Sequence, residues 1–126
     1  MRFHMATRDI ERANITSELR LRTLFLMAQS CRGVHGDYAE VGVYKGRSAQ
    51  LIARAAPEKK LHLFDTFTGM PEHDPTIDGH VKGEFADTTI VEVSERLKEN
   101  PNARIWAGLF PASASHLANK TFAFAH

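Results

Sequence analysis

The sequence predicts an α/β fold with a mostly parallel sheet, and three observations carry that expectation. Short strand-like runs alternate with helical stretches from Thr16 onward, a glycine-bracketed turn follows the first run, and an aspartate ends the second. Sheets of this class bind ligands at the carboxyl ends of their strands, near the point where strand order reverses. The residues just after Val43, Phe64, Ala107 and Ala125 are therefore the ones to weigh.

From residue 16 to 31, Leu19, Leu21, Leu24, Phe25, Met27 and Ala28 recur at helical spacing behind Thr16 and Ser17 as N-caps, which predicts an amphipathic helix. Gly33 and Gly36 end it, and Asp37 to Val43 (DYAEVGV) reads as a buried parallel strand. Gly42 and Gly46 bracket a tight turn, residues 48–56 form a second helix stopped by Pro57, and LHLF at 61–64 is the next strand. Strand, helix and strand follow one another within about thirty residues, as a right-handed crossover requires.

Residues 66–86 carry Gly69, Pro71, Pro75, Gly79 and Gly83 and no surviving period, so they are expected to be a mobile lid. Asp87 or Thr88 caps a third helix running to about Asn100, with Ile90, Val91, Val93 and Leu97 on its inner side. ARIWA at 103–107 is a third strand, residues 111–118 a short helix or turn, and TFAFA at 121–125 a fourth strand. The chain of 126 residues, 43% hydrophobic, buries one core, so a single domain is expected: a helical segment over 1–36 and a sheet core over 37–126.

Sixteen basic and fifteen acidic side chains are spread along the chain, which argues against a nucleic-acid or anionic-membrane surface. No apolar run has the length of a membrane span, and residues 1–9 carry charges where a signal peptide needs apolar residues, so a cytoplasmic location is expected. Cys31 stands alone and reads as a small apolar filler.

The chemistry begins at the first turn, Glu40-Val41-Gly42-Val43-Tyr44-Lys45-Gly46-Arg47-Ser48. Its glycines let backbone approach a ligand, and the helix start beyond it offers unpaired N–H groups. The spacing is neither GxGxxG nor a P-loop, so polyphosphate binding has weak support, and the turn alone is equally an ordinary strand-to-helix connection. Asp65 follows LHLF about twenty residues beyond the turn, where a carboxylate accepts hydrogen bonds from both hydroxyls of a ribose, although a plain loop acid fits the same position. The coincidence of turn and aspartate points to an adenosine-bearing ligand.

Tyr38 to Ser48 (YAEVGVYKGRS) and Leu63 to Glu72 (LFDTFTGMPE) resemble the paired signatures of the TylF-like macrocin O-methyltransferases, class I S-adenosylmethionine-dependent enzymes. Gly83-Glu84-Phe85-Ala86-Asp87-Thr88 and Gly108-Leu109-Phe110-Pro111 follow the same pattern in order and spacing. The resemblance implies a Rossmann-like methyltransferase core that binds S-adenosyl-L-methionine. It places Glu40 and Gly42 near the methionine part of the cofactor, Gly46 and Ser48 beneath it, and Asp65 on the ribose. Thr66 and Phe67 would flank the adenosine, with Gly108 and Phe110 near the adenine. A methyl sulfonium is already reactive, so such a protein holds donor and acceptor in line in a water-poor site, with a base or metal to deprotonate an acceptor hydroxyl.

Other signals compete with bland readings. Glu72, His73, Asp74, Asp78 and His80 supply enough ligands for a metal, but their spacing fits no standard zinc or calcium loop, and a solvated lid accounts for them better. His62, inside a strand, reads as a sheet-face residue, and Trp106 as core in preference to a cofactor stacker. In the family the strand matching Phe122-Ala123-Phe124-Ala125-His126 continues into an acidic D-x-D-type segment that takes part in metal binding, and then into the acceptor site. Here the sequence ends at His126, so no residue is assigned a metal role, magnesium belongs to longer family members, and no catalytic base is assigned. The expected function is the cofactor-binding half of an O-methyltransferase acting on a hydroxyl of a sugar or natural product. The alternative is a non-catalytic adenosine-nucleotide binding module or inactive remnant. An unpaired TFAFA edge would favour self-association in either case.

Overall fold

The computed structural model describes residues 15–68 and 89–126. Along the chain come helix α1 (Ile15–Ser30), strand β1 (Asp37–Val41), helix α2 (Arg47–Ala55), strand β2 (Leu61–Asp65), helix α3 (Ile90–Arg96), strand β3 (Ala103–Ala107), a 3-10 helix (Ala112–Leu117) and strand β4 (Phe122–Ala125). The strands form one parallel sheet in the order β3-β2-β1-β4. The chain builds outward from β1 to β3 and then crosses to the other side of β1, so strand order reverses between β1 and β4. The α/β class and every strand expected from the sequence are present.

Boundaries moved for local reasons. β1 stops at Val41 and not at Val43, because Gly42 takes φ 88° and turns the chain out of the sheet. The expected caps Asp87 and Thr88 lie outside the described residues. Thr89 caps α3: its Oγ1 accepts from the Glu92 N–H at 3.2 Å while the Glu92 carboxylate accepts from the Thr89 N–H at 2.7 Å. α3 ends at Arg96, short of Asn100, and the expectation that Ile90 and Val91 face inward fails, since both are exposed. A helix of seven residues reaches the core through one i, i+4 stripe, here Val93 and Leu97. α1 shows the same economy. It packs on α2, with Ala28 buried and Leu24 and Phe25 against the core, while Leu19 and Met27, expected inside, are exposed. Cys31 is partly buried against the same core.

One face of the sheet carries most of the apolar burial. Tyr38, Leu61 and Leu63 meet Ala49, Ile52 and Ala53 of α2 and Val93 and Leu97 beyond them, each larger side chain contributing roughly 1.5–3 kcal/mol. The opposite face holds a smaller cluster, Ala39, Phe64 and Leu117, with Trp106 and Ala114 packed on it from β3 and the 3-10 helix. Among the described residues no helix is long and apolar enough to cross a membrane.

A polar relay crosses this second face. Trp106 Nε1–H donates to His62 Nδ1 at 3.1 Å, which fixes the proton of a neutral imidazole on Nε2, and Nε2 lies 2.9 Å from Asp37 Oδ2. His62 is buried and both its nitrogens are engaged, so it is a tie across β1, β2 and β3 and not a base, as a sheet-face residue should be. Burial pushes the Asp37 carboxyl up, but the His62 hydrogen bond and the charges of Lys120 and Lys60 outweigh it and hold it below the usual range. A depressed acid stabilises the fold above its unfolded pKa and loses that contribution as pH falls through its folded pKa, so this tie fails at the acid end. Trp106→Phe leaves His62 Nδ1 without a donor and is expected to lower stability by roughly 1–3 kcal/mol. Urea unfolding reads it, and a midpoint equal to wild type would show the bond to be idle.

Candidate functional site

The main-chain ladder continues past the strand ends and ties four of them into one rim. Val41 N–H donates to His126 O at 2.9 Å, Gly42 N–H to Phe64 O at 2.8 Å, and Gly108 N–H to Asp65 O at 2.9 Å. These bonds bring Glu40, Gly42, Asp65, Gly108 and His126 to the carboxyl edge of the sheet, with the reversal of strand order between β1 and β4 at one end.

The turn from β1 into α2 repeats left-handed backbone at every second residue, with φ 88° at Gly42, 48° at Tyr44 and 78° at Gly46. Alternation of this kind points successive N–H groups into a concavity that suits an anion. The anion is the protein's own: Val43 and Tyr44 N–H both donate to Asp65 Oδ2 at 2.8 Å, and Phe67 N–H donates to Oδ1 at 3.0 Å. The sequence suggested that the turn and Asp65 each await a ligand; the structure joins them to each other. The Val43 and Tyr44 donors are therefore spent and fill both lone pairs of Oδ2, while Oδ1, with the Phe67 N–H alone on it, keeps one lone pair for an incoming hydroxyl.

The two glycines have different duties. A Cβ on Gly42 would meet no atom within 4 Å, so the backbone there is open to an occupant. A Cβ on Gly46 would come to 3.3 Å from Arg96 Cδ and 3.4 Å from Val93 Cγ1, so Gly46 lets α2 start flush against α3.

Glu40 is the unusual group. It is fully buried, its Oε2 lies 2.7 Å from His126 Nδ1, and its Oε1 is buried with no hydrogen-bond partner among the described residues. Burial pushes its carboxyl up most strongly, hydrogen bonds from His126 and Ser48 oppose that, and the nearby charge of Asp65 adds to the rise. An acid whose folded pKa is raised destabilises the fold when ionised, and the stability it forgoes returns as pH falls through the folded pKa. Such a group carries a standing cost to the fold, which makes it the first candidate here for contact with a ligand. Glu40→Gln should therefore leave stability at pH 7 unchanged or raise it by on the order of 1 kcal/mol, and should flatten the pH dependence just above the carboxylate range. Thermal melts of both proteins from pH 5 to 8 read this; a variant much less stable than wild type at pH 7 would make Glu40 a structural ion.

The remaining expected residues divide. Ser48 reaches Glu40, Thr66 follows Asp65 at the rim, and Gly108 closes the β3 end. Phe67, at φ 57°, lays part of its ring against the core. Phe110 stands apart: half its surface is exposed, and its ring lies 5.7 Å from that of Phe64, on the second face of the sheet. Sequence reasoning missed His126 as the partner of Glu40, because the two are 86 positions apart and only the β1–β4 pairing joins them. Residues 69–88, which hold most of the expected lid and the acidic, histidine-bearing stretch, lie outside the described residues. Among the described residues no three His, Cys, Asp or Glu side chains converge as metal ligands.

The crevice thus offers an unanswered buried carboxylate oxygen, an open glycine backbone and a second carboxylate with spare acceptor capacity, and the turn's Val43 and Tyr44 amides are closed to phosphate. That set fits a ligand bearing a cation and hydroxyls.

Comparison with known proteins supports the assignment of the fold. The sequence model of the macrocin-O-methyltransferase (TylF) family matches residues 13–105. Among solved structures, the calicheamicin methyltransferase CalS11 is similar with a TM-score of 0.73 at 20% identity, covering 89% of this chain and 54% of its own. The chain thus spans about half the length of that relative. A search of curated protein sequences returns no match.

Proposed function

Since the chain belongs to the macrocin O-methyltransferase (TylF) family, we propose that it is the donor-binding part of an S-adenosyl-L-methionine-dependent O-methyltransferase acting on a hydroxyl of a sugar or natural product. The observation that carries this reading is the buried Glu40 carboxylate with its unpartnered Oε1, set beside the open backbone of Gly42. When bound, S-adenosylmethionine supplies a methyl group already activated on a sulfonium.

On this reading Glu40 answers the positive charge of the methionine part, and Gly42 gives the backbone room beside it. Gly46 and Ser48 close the floor, Asp65 takes a ribose hydroxyl on the free lone pair of Oδ1, and Thr66 and Phe67 flank the adenosine. Gly108 and Phe110 are proposed for the adenine side, where the exposed ring of Phe110 offers a stacking surface. Desolvation strengthens the attraction between a buried carboxylate and a cation, so ligand charge should decide affinity here. The small-molecule acceptor, a cytoplasmic setting and self-association through the edge of β4 belong to the same proposal.

Calorimetry of the chain with S-adenosylmethionine, S-adenosylhomocysteine and adenosine triphosphate tests it. Both adenosyl amino acids should bind, and the triphosphate should bind at least tenfold more weakly, about 1.4 kcal/mol, because phosphate meets Glu40 and no free Val43 or Tyr44 amide. Preference for the triphosphate would favour a nucleotide-binding module instead.

A further inference from the structure

We propose that His126 is a positioning residue for the donor site: its Nδ1 bond from β4 to the neighbouring β1 holds the Glu40 carboxyl in place and commits Oε2, so that Oε1 is left for the ligand. The inference rests on reading this crevice as the donor site, and it adds to that reading a residue to which neither the turn nor the aspartate pointed.

Three observations support it. The bond is 2.7 Å long, at the short end expected for a charge-assisted N–H···O pair. His126 is held by its own backbone, with its N–H donating to Ala39 O at 3.0 Å and its carbonyl accepting from Val41 N–H at 2.9 Å, so the imidazole is anchored on both sides of the residue it serves. Finally, Glu40 is fully buried, so its carboxyl needs a polar partner within the fold, and His126 supplies one to Oε2. The groups facing Glu40 are His126 from β4, Ser48 from α2 and Asp65 from β2; His126 and Ser48 favour its charged form and Asp65 opposes it. Removal of His126 takes away the only one of the three able to carry a positive charge. Glu40 would then hold its proton to higher pH and offer a cationic ligand less negative charge.

The fold should tolerate the change, because the β1–β4 ladder at this point is made by main-chain atoms that any residue supplies. His126→Ala removes the donor; His126→Asn retains an N–H near the position of Nδ1 without the charge. Carbon NMR of the Glu40 carboxyl, followed against pH in the ligand-free chain, should show the titration midpoint moving up in His126→Ala and part of the way in His126→Asn. Affinity for S-adenosylmethionine at pH 7 should fall by about tenfold in His126→Ala, the usual loss for a hydrogen bond to a charged group, and by less in His126→Asn. A Glu40 midpoint unmoved by His126→Ala overturns the inference, as does equal affinity in all three proteins. Should wild type bind neither adenosyl ligand, the proposed function falls, and the carboxyl titration alone then decides whether His126 sets the state of Glu40.

Discussion

Gly36→Ala is expected to cost on the order of 3–5 kcal/mol, enough to consume much of a small domain's stability. The glycine sits at φ 124°, and a Cβ there would lie 2.6 Å from Thr121 O and 2.9 Å from Ala123 N. Both obstacles are main chain, and neither can swing aside. Thr121 O also accepts the Asp37 N–H at 3.0 Å, the bond that opens the pairing of β1 with β4, so relief of the clash parts the two strands at their start. Gly33 is the matched control, since a Cβ there meets nothing within 4 Å. Urea unfolding of the two alanine variants should separate them widely, and similar midpoints would mean that the entry to β4 yields without cost.

Asp65→Ala is expected to lose a comparable amount, on the order of 3–5 kcal/mol, and to lose ligand binding with it. One carboxylate accepts from Val43, Tyr44 and Phe67, so its removal strands three N–H groups at once and frees a turn that carries strained φ at Tyr44. Because folding and binding fall together, Asp65→Asn is the informative partner. It keeps one oxygen for the Val43 and Tyr44 donors and turns its NH2 toward the Phe67 N–H, so the chain should remain folded with a smaller loss than Asp65→Ala, while affinity for S-adenosylmethionine drops by roughly 1–3 kcal/mol as the free ribose acceptor is lost. A folded Asp65→Asn protein that binds as tightly as wild type would move the ribose elsewhere.

The alternation of strands and helices was legible because each strand is bounded by its own local signals. Asp37 follows two helix-stopping glycines, Leu61 follows Pro57 and a polar connection, and Ala103 follows Pro101. Gly42 and Asp65 stood out for the same reason, each lying where a strand must end. Burial was legible only in part. Apolar spacing showed which faces of α1 and α3 can be buried, but Leu19, Met27, Ile90 and Val91 are exposed because a helix buries only the stripe its neighbour touches.

By itself the sequence determined the class of fold, the order of its elements, the two glycines and the aspartate at the strand ends, and the family resemblance. The tertiary structure decided how those parts act on one another. Local pattern holds no information about which strands become neighbours, and the pairing of β1 with β2 on one side and β4 on the other is what brings Asp65 onto the turn amides and His126 onto Glu40. Burial is likewise a property of the assembled sheet: a glutamate in the run DYAEV is an ordinary polar residue until strands, helix and turn remove water from it, and only then does an oxygen without a partner among the described residues make it a candidate for ligand contact.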